Sequence, residues 1–221
     1  MNTVFKHIVA RTYRPLLVKY LSKARIYRYK GIRLVIPPEV FHPGFFFSTQ
    51  ILLQYINTLQ LKEKKFLELG CGSGLIAVSA AKQQAKVTAT DINSIAVEAL
   101  KKNSWQNKVV LQVIESDLFT AIPPQQFDII AINPPYYKKQ PHTAKDHAWY
   151  CGEKGEYFAA LFNSLAAYMH KDSQVLMILF DGADMEMING FAQKNNFLLH
   201  CVYSKKNMLE KNFIYQISKA A

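Results

Sequence analysis

The sequence predicts an α/β protein: a doubly wound, seven-stranded and mostly parallel sheet with a short basic N-terminal extension. Two observations predict it. Apolar runs that fit buried strands alternate with stretches of helical periodicity, an order that right-handed crossovers turn into a parallel sheet. One of these runs, residues 66–69, enters a glycine-rich turn and then an alanine-rich helix, which is the pattern of a ligand-binding turn at a helix N-terminus.

The composition fits a globular protein of one large domain, or one domain with an extension. Its 221 residues are 50% hydrophobic and 19% charged, which disfavours a disordered chain. No apolar run approaches the roughly 20 residues that a membrane helix requires, and basic residues near the N-terminus interrupt any secretory signal. The three cysteines fit neither a disulfide framework nor a metal site. We therefore expect a cytoplasmic protein that binds neither a metal nor a membrane.

The positive charge is concentrated at the N-terminus. Nine of the 27 basic residues precede Glu39, the first acidic residue, and the remaining chain has 18 basic residues against 16 acidic ones. This division predicts a basic extension over residues 1–38 and a main domain over residues 39–221. A block of one sign favours a polyanionic partner, although a solvated helix face on a basic protein explains the same pattern.

The extension is predicted to be helical first and extended afterwards. Apolar residues have helical spacing within residues 4–9 and 16–21, with Pro15 between the two groups. Residues 26–36 alternate basic and apolar side chains around Gly31, which predicts an exposed basic strand or hairpin.

A helix is predicted after the turn Pro43-Gly44. Ser48 or Thr49 is a candidate for its N-cap, and its buried side chains are predicted to be Leu52, Leu53 and Ile56. Three consecutive phenylalanines precede this cap, which is more than one core face requires, so Phe46 is a candidate substrate contact.

The remaining elements follow from the same periodicities. Strands are predicted at residues 66–69, 86–90, 109–114, 129–132 and 174–180, and an antiparallel pair at residues 197–203 and 213–217 closes the chain. Helices are predicted at residues 73–83 and 93–103. A further helix follows the turn at residues 152–155 and is predicted to bury Phe158, Leu161, Phe162, Leu165 and Met169.

Polar residues stand at the ends of four predicted strands. Glu68, Asp91, Asp117 and Asn133 lie on or near these ends. In open parallel sheets the carboxyl ends of the strands share one edge, and ligands bind outside that edge. We therefore expect the four side chains to form one site.

The glycine-rich turn E-L-G-C-G-S-G differs from a dinucleotide-binding turn. Such a turn has its third glycine at the position of Leu75, and an acidic residue on each of the next two strands would repel a pyrophosphate. Negative charge here suits a sulfonium cation, which points to S-adenosylmethionine and disfavours a nucleotide-dependent oxidoreductase. Asp91, 21 residues after Gly70, has the separation at which a strand-end carboxylate reaches both ribose hydroxyls.

The buried run at residues 129–132 ends in the sequence N-P-P-Y. Pro134 and Pro135 have no N–H for a strand ladder, so the strand must stop at Asn133. The Asn133 amide oxygen and a neighbouring carbonyl can each accept one hydrogen of an –NH2 group, and the ring of Tyr136 can stack on a flat π system. The alternative is a strand terminus with a proline turn and no catalytic role.

Together these motifs resemble class I methyltransferases that methylate planar nitrogens. The resemblance spans about residues 40–217. It is nearest to the HemK-type and methyltransferase small domain group, whose members act on release-factor glutamines or on amines of RNA and DNA bases. It implies the Rossmann-like methyltransferase fold, with S-adenosyl-L-methionine as methyl donor and S-adenosyl-L-homocysteine as product.

The resemblance also implies a role for each motif residue. The methyl donor is expected to contact Glu68, Gly70, Cys71, Gly72, Gly74, Asp91, Ile92, Asp117, Leu118 and Asn133. Within this set, Glu68 and the glycines are assigned to the methionyl part, Asp91 to the ribose, and Asp117 with Leu118 to the adenine. The catalytic corner is expected to comprise Asn133, Pro134, Pro135 and Tyr136.

The loop after the corner is basic. Tyr137 and Lys138 occupy positions where the family has substrate contacts, and further lysines follow. His142 and His147 are interpreted as solvated loop residues rather than as bases or ligands.

The charge pattern suggests the substrate. With the loop, Arg25, Arg28 and Arg33 of the extension favour a nucleic acid, RNA more than DNA, or a ribosome-associated substrate. The extension is shorter than the helical substrate domain of bacterial HemK-type enzymes. A protein glutamine in a translation factor or ribosomal protein is the alternative substrate, and some relatives that lack that domain use a small partner protein. A catalytically silent RNA-binding scaffold is disfavoured, because it would need neither the asparagine nor the glycines.

Overall fold

The structure, a computed structural model, describes residues 20–45, 47–207 and 210–220 and confirms the predicted α/β class. The described strands are β1 (Arg25–Tyr29), β2 (Ile32–Ile36), β3 (Lys65–Leu69), β4 (Lys86–Asp91), β5 (Gln112–Glu115), β6 (Phe127–Ile132), β7 (Met169–Phe180), β8 (Phe197–Lys206) and β9 (Lys211–Lys219). The described α-helices are α1 (Phe47–Ile56), α2 (Leu75–Lys82), α3 (Ser94–Gln106), α4 (Glu156–Leu165) and α5 (Met185–Lys194). Short 3₁₀ helices at Ala144–Ala148 and Ala166–Tyr168 precede and follow α4.

Strands β3 to β9 form a seven-stranded sheet in the order β5-β4-β3-β6-β7-β9-β8. The strands from β3 to β7 run parallel, whereas β9 runs antiparallel to both β7 and β8. Helices α1, α2 and α3 pack on one face, and α4 and α5 pack on the other. The chain proceeds outward from β3 in one direction and from β6 in the other, so the ends of β3 and β6 mark the switch point at which such sheets bind ligands.

Two strands begin more than two residues from their predicted first residue. Strand β5 begins at Gln112 rather than at residue 109, because Val110 is 94% exposed and lies outside the packed sheet. Strand β7 begins at Met169 rather than at residue 174, so the buried Met169 starts a strand instead of ending a helix.

Helix α5 is absent from the predicted elements, although its signals are local. Asp184 caps it by accepting a hydrogen bond from Met187 N at 3.0 Å. Ile188 and Ala192, four residues apart, form its buried face. The predicted helical residues 4–19 and the candidate substrate residue Phe46 lie outside the described residues. Within the described ranges, each helix is too short or too polar to cross a bilayer.

The predicted basic hairpin is confirmed, but the prediction that it is exposed is wrong for β2. Strands β1 and β2 pair antiparallel around the turn Lys30-Gly31. Alternate residues of β2 are buried in the core beside α2 and α3: Ile32, Leu34 and Ile36. The division of the chain at residue 38 stays a prediction, since the hairpin and the sheet share this core.

Two asparagines, Asn103 in α3 and Asn107 directly after it, bind the outer edge of β2. Asn103 accepts from Val35 N at 2.8 Å and donates to Val35 O at 3.1 Å. One helical turn later, Asn107 accepts from Arg33 N at 3.0 Å and donates to Arg33 O at 2.7 Å. Both side chains are buried. We call Asn103 and Asn107 the asparagine latch, because each side-chain amide takes the place of a neighbouring strand.

Replacing Asn103 by Ala should destabilise the protein by about 1–3 kcal/mol, because the half-buried N–H and C=O of Val35 then lose their side-chain partner. The free energy of unfolding in urea measures the effect. Ser104→Ala is the matched control, since the exposed Ser104 hydroxyl bonds only within its own helix. A loss for Asn103→Ala no larger than that for Ser104→Ala would contradict the latch.

Candidate functional site

A cavity of about 370 Å³ opens at the carboxyl edge of the sheet, where β3, β4 and β6 end. It brings together most of the residues that the sequence predicts for the methyl donor and the corner. Those lining it are Glu68, Gly70, Cys71, Gly72, Asp91, Ile92, Asp117, Leu118, Asn133, Pro134, Pro135 and Tyr136.

Gly74 does not line this cavity. It precedes α2 with φ at 74°, a left-handed conformation that favours glycine. A Cβ atom here would overlap the Leu100 side chain of α3. Gly74 therefore permits the close packing of α2 against α3, and its contact with the methyl donor stays a prediction.

Both oxygens of the Asp91 carboxylate accept backbone hydrogen bonds. Oδ2 accepts from Gly72 N at 2.7 Å, and Oδ1 accepts from Asn93 N at 2.9 Å. Burial raises the pKa of Asp91 above its ordinary value, and the bonds from the Asn93 and Gly72 amides oppose that rise. A carboxylate has about four lone-pair sites, so a ligand hydroxyl in the cavity can still donate to Asp91.

Glu68 is a second carboxylate of the same cavity and is only 5% exposed. Its Oε2 accepts from Ala77 N at 2.7 Å, which satisfies an N–H in the first turn of α2. Burial raises the pKa of Glu68 well above its ordinary value, and the nearby Asp91 adds to the rise. Among the described residues, neither carboxylate has a salt-bridge partner. Together they favour a cationic ligand.

The outer wall of the cavity is formed by the turn after β5. Leu118 is half-buried with φ at 47°, whereas Asp117 is exposed. The Ser116 hydroxyl holds this turn by donating to Leu118 O at 2.9 Å and accepting from Ala121 N at 3.0 Å. Tyr157 of α4 lines the same wall but is absent from the predicted site, since its position beside the core residue Phe158 suggests only packing.

The Asn133 amide is fixed by two hydroxyls of α1. Its Nδ2 donates to Ser48 Oγ at 3.2 Å and to Thr49 Oγ1 at 3.1 Å. The predicted capping role of these hydroxyls is wrong, because α1 already begins at Phe47 and both residues lie in its first turn. With both N–H groups of the amide bonded, Oδ1 of Asn133 is the group left for a ligand in the cavity.

Tyr136 packs into an aromatic cluster beside Asn133. Its ring centroid lies 4.6 Å from that of Phe180 and 5.3 Å from that of Tyr137. Its hydroxyl hydrogen-bonds the Ser48 side chain, and burial raises its pKa. Tyr137 lies outside the cavity and is 48% exposed, so its ring is open to a larger substrate.

A loop closes over the cavity from the side of the corner. We call residues 138–150 of this loop the cover. Its two ends are joined by two hydrogen bonds of 3.0 Å, in which Tyr137 N donates to Trp149 O and Cys151 N donates to Tyr137 O. The Trp149 ring of the cover lies 5.2 Å from that of Phe41, which lines the cavity. His147 is half-buried, lines the cavity and interacts electrostatically with Asp91. Its interpretation as a loop residue that is neither a base nor a ligand stays a prediction.

The predicted substrate cations are not gathered on one surface. Lys138 forms an ion pair with Asp184 at 2.6 Å, beside the start of α5. Arg28 and Arg33 are opposite each other on the outer face of the hairpin, and both are exposed. Arg25 alternates to the other face, where its guanidinium lies 3.8 Å from the centroid of the Tyr20 ring.

The methyltransferase small domain family model matches residues 32–151. The match includes β2, the glycine-rich turn and the N-P-P-Y corner.

Two curated relatives align with about half of the chain. A protein of Methanocaldococcus jannaschii assigned as a protein N5-glutamine methyltransferase is 40% identical over 108 residues, 48% of this chain and 52% of that protein. The ribosomal RNA small subunit methyltransferase C of Actinobacillus pleuropneumoniae is 33% identical over 114 residues, 50% of this chain and 34% of that protein. The chain thus spans about half of the first relative's length and about a third of the second's.

Solved structures share the fold. The ribosomal protein L11 methylase of Lactobacillus delbrueckii subsp. bulgaricus has a TM-score of 0.64 at 22% identity and covers 86% of each chain. The T. thermophilus 16S rRNA N2 G1207 methyltransferase, solved with AdoMet and guanosine, has a TM-score of 0.63 at 19% identity, over 88% of this chain and 50% of that one. At these identities the similarity establishes the fold alone.

Replacing Glu68 by Gln should stabilise the ligand-free protein more at pH 8 than at pH 5. Because the folded-state pKa of Glu68 is raised, the wild type loses stability as pH rises from the unfolded-state pKa, about 4.3, through the folded-state value. Glutamine keeps an acceptor for Ala77 N without the buried charge. Urea unfolding at both pH values measures the effect.

Glu115→Gln, at the exposed end of β5, is the control, because it makes the same replacement at a carboxylate that is not buried. An equal change at pH 5 and pH 8 for Glu68→Gln would contradict the electrostatic explanation.

Proposed function

Because the chain belongs to the methyltransferase small domain family, we propose that it is an S-adenosylmethionine-dependent N-methyltransferase. Its methyl acceptor is a planar amine or amide nitrogen. One observation carries this proposal: Asn133 directs its amide N–H groups to Ser48 and Thr49, which leaves its oxygen for an acceptor in the cavity. The N-P-P-Y corner at residues 133–136 relates the chain to methyltransferases of the HemK type.

The cavity fits S-adenosylmethionine in size and charge. Its volume of about 370 Å³ lies in the range of small-molecule sites. Glu68 and Asp91 supply negative charge for the methionyl part, and Asp91 keeps lone pairs for ribose hydroxyls. Leu118 and Tyr157 offer an apolar wall for the adenine. When bound, the methyl donor supplies an activated methyl group on a sulfonium sulfur.

The chain's own contribution to the transfer is position and electrostatics. Asn133 Oδ1 and the Pro134 carbonyl accept the two hydrogens of the acceptor amine, so the nitrogen lone pair points at the methyl carbon. When bound, S-adenosylmethionine would supply the methyl group and its sulfur would keep the electron pair of the S–C bond, while Asn133 Oδ1 and the Pro134 carbonyl would hold the nitrogen that gains the N–C bond and releases one proton to solvent. Positioning of this kind contributes within the roughly 7–11 kcal/mol that oriented reactions gain. The two acceptors also bind the increasingly cationic nitrogen better, which is differential stabilisation of the transition state.

An exocyclic base amine of RNA, in ribosomal or transfer RNA, is the substrate that we favour over DNA. The outer face of the hairpin carries Arg28, Lys30 and Arg33, and residues 25–36 contain no acidic side chain. A curated relative that is 33% identical is named for ribosomal RNA. In this proposal residues 1–38 serve as a substrate-binding extension of the methyltransferase domain at residues 39–221.

A protein glutamine is the second candidate substrate. It is favoured by the relative assigned as an N5-glutamine methyltransferase, which is 40% identical over 108 residues. A glutamine side chain has the same planar –NH2 group as a base amine, so the corner would bind either one.

Incubation with S-adenosylmethionine labelled in the methyl group tests the proposal. The protein is mixed separately with ribosomal RNA, transfer RNA, DNA and a protein fraction that contains release factors and ribosomal proteins. We expect label in RNA, in a form that survives protease and is released by nuclease. Label in protein alone would replace the RNA proposal by the glutamine one, and no transfer to any fraction would refute the enzyme.

Replacing Asn133 by Ala should lower kcat about a hundredfold or more and leave the affinity for S-adenosylmethionine nearly unchanged. The variant loses a preorganised hydrogen bond that is strongest in the transition state. Turnover is measured by label transfer and affinity by calorimetry. Near-normal turnover would mean that the corner is only a strand terminus.

Replacing both Arg28 and Arg33 by Ser should raise the KM for RNA and flatten its salt dependence. Each phosphate contact contributes about 0.7–0.9 to the slope of log affinity against log salt. Filter binding between low and moderate salt measures the slope. Lys62→Ser with Lys194→Ser is the control, because it removes the same charge from exposed sites outside the hairpin. Equal slopes for the two double variants would contradict docking on the hairpin.

A further inference from the structure

The hydroxyls that hold Asn133 come from a distant part of the chain. Ser48 and Thr49 precede Asn133 by 85 and 84 residues, and their oxygens lie 3.2 and 3.1 Å from its Nδ2. Ser48 is only 3% exposed and Thr49 only 6%. Buried hydroxyls need hydrogen-bond partners, and the oxygens of these two accept from the Asn133 side chain, directly after β6.

An amide has two ends of opposite character. The oxygen accepts hydrogen bonds, and the –NH2 group donates them. If the Asn133 side chain turned by half a rotation about its last bond, its –NH2 group would face the cavity and repel the hydrogens of an acceptor amine. Two separate oxygens match the fork of the –NH2 group, so the observed orientation satisfies both donors at once.

Ser48 has a second partner in the same corner. Its side chain hydrogen-bonds the Tyr136 hydroxyl, and the Tyr136 ring packs against Phe180 at 4.6 Å. One residue of α1 therefore links the Asn133 amide to the aromatic ring beside it. A shift of either group changes the place that a flat acceptor can occupy.

We propose that Ser48 and Thr49 are positioning residues for the methyl acceptor. They hold Asn133 with its oxygen towards the cavity, and Ser48 also fixes the ring of Tyr136. Neither hydroxyl needs to touch the acceptor for this role, and each acts through the corner. The inference rests on the proposed function, because it assigns an orientation to the group that binds the acceptor nitrogen.

Removal of the hydroxyls should lower turnover without weakening the binding of the methyl donor. Ser48→Ala and Thr49→Val should each reduce kcat about tenfold, equivalent to about 1.4 kcal/mol in the barrier, and the double variant should reduce it further. The Kd for S-adenosylmethionine should stay near the wild-type value. Thr49→Ser, which keeps the hydroxyl, should restore most of the turnover that Thr49→Val loses.

Thr58→Val is the matched control. Thr58 lies just beyond α1, where its exposed hydroxyl donates to Tyr55 O at 2.7 Å. It should have normal turnover, because it removes a threonine hydroxyl from the same region without contact to the corner.

A double-mutant cycle separates positioning from general damage to the protein. In an Asn133→Ala background, residual label transfer should be the same with and without Ser48→Ala and Thr49→Val, because the group through which they act is absent. A further loss of similar size in that background would overturn the proposal, as would normal kcat for the double variant. If the wild-type protein transfers no label, the proposed function fails; if it does and the variants match it, only the positioning role fails.

Discussion

The Asp91 carboxylate is the interaction on which the architecture of the site depends. It binds Gly72 of the turn after β3 and Asn93 at the start of α3, so one side chain joins two crossover connections at the end of β4. Asn93 extends the network: its Oδ1 accepts from Ile95 N at 3.0 Å and caps α3, and its Nδ2 donates to Glu39 O at 3.1 Å. The segment that leads from the hairpin to α1 is thereby fixed to the same point. The shape of the cavity follows from this chain of bonds.

The electrostatics of the cavity oppose the stability of the empty protein. Glu68 and Asp91 are held close together with raised pKa values, and no described basic residue forms an ion pair with either. Such an arrangement lowers the stability of the folded protein in the absence of a cation. A bound cation relieves the repulsion, so the cavity binds cationic ligands selectively.

Much of the fold could be predicted from the sequence, because its signals are local. Hydrophobic periodicity gives the strands, and the prolines after Asn133 fix where β6 ends. Polar residues at neighbouring strand ends had to meet, because parallel strands share one carboxyl edge. Relations between distant segments could not be predicted in this way. The partners of Asn133 are 84 and 85 residues away in the sequence. His147 reaches the cavity only through the fold of the cover. Arg25 lies on the opposite face of the hairpin from Arg28 and Arg33, because side chains alternate along a strand, and the sequence does not tell which face is buried.

The asparagine latch has a consequence for the behaviour of the protein in a crowded solution. A strand with free N–H and C=O groups on its edge can recruit a strand of another molecule, and this is a common beginning of aggregation. On the outer edge of β2 the backbone groups of Arg33 and Val35 are already paired with the side chains of Asn107 and Asn103, at the end of α3. Because a helix supplies the pairing, this edge offers no template to another chain, and the hairpin can carry a strongly basic and partly apolar outer face without inviting self-association through β2.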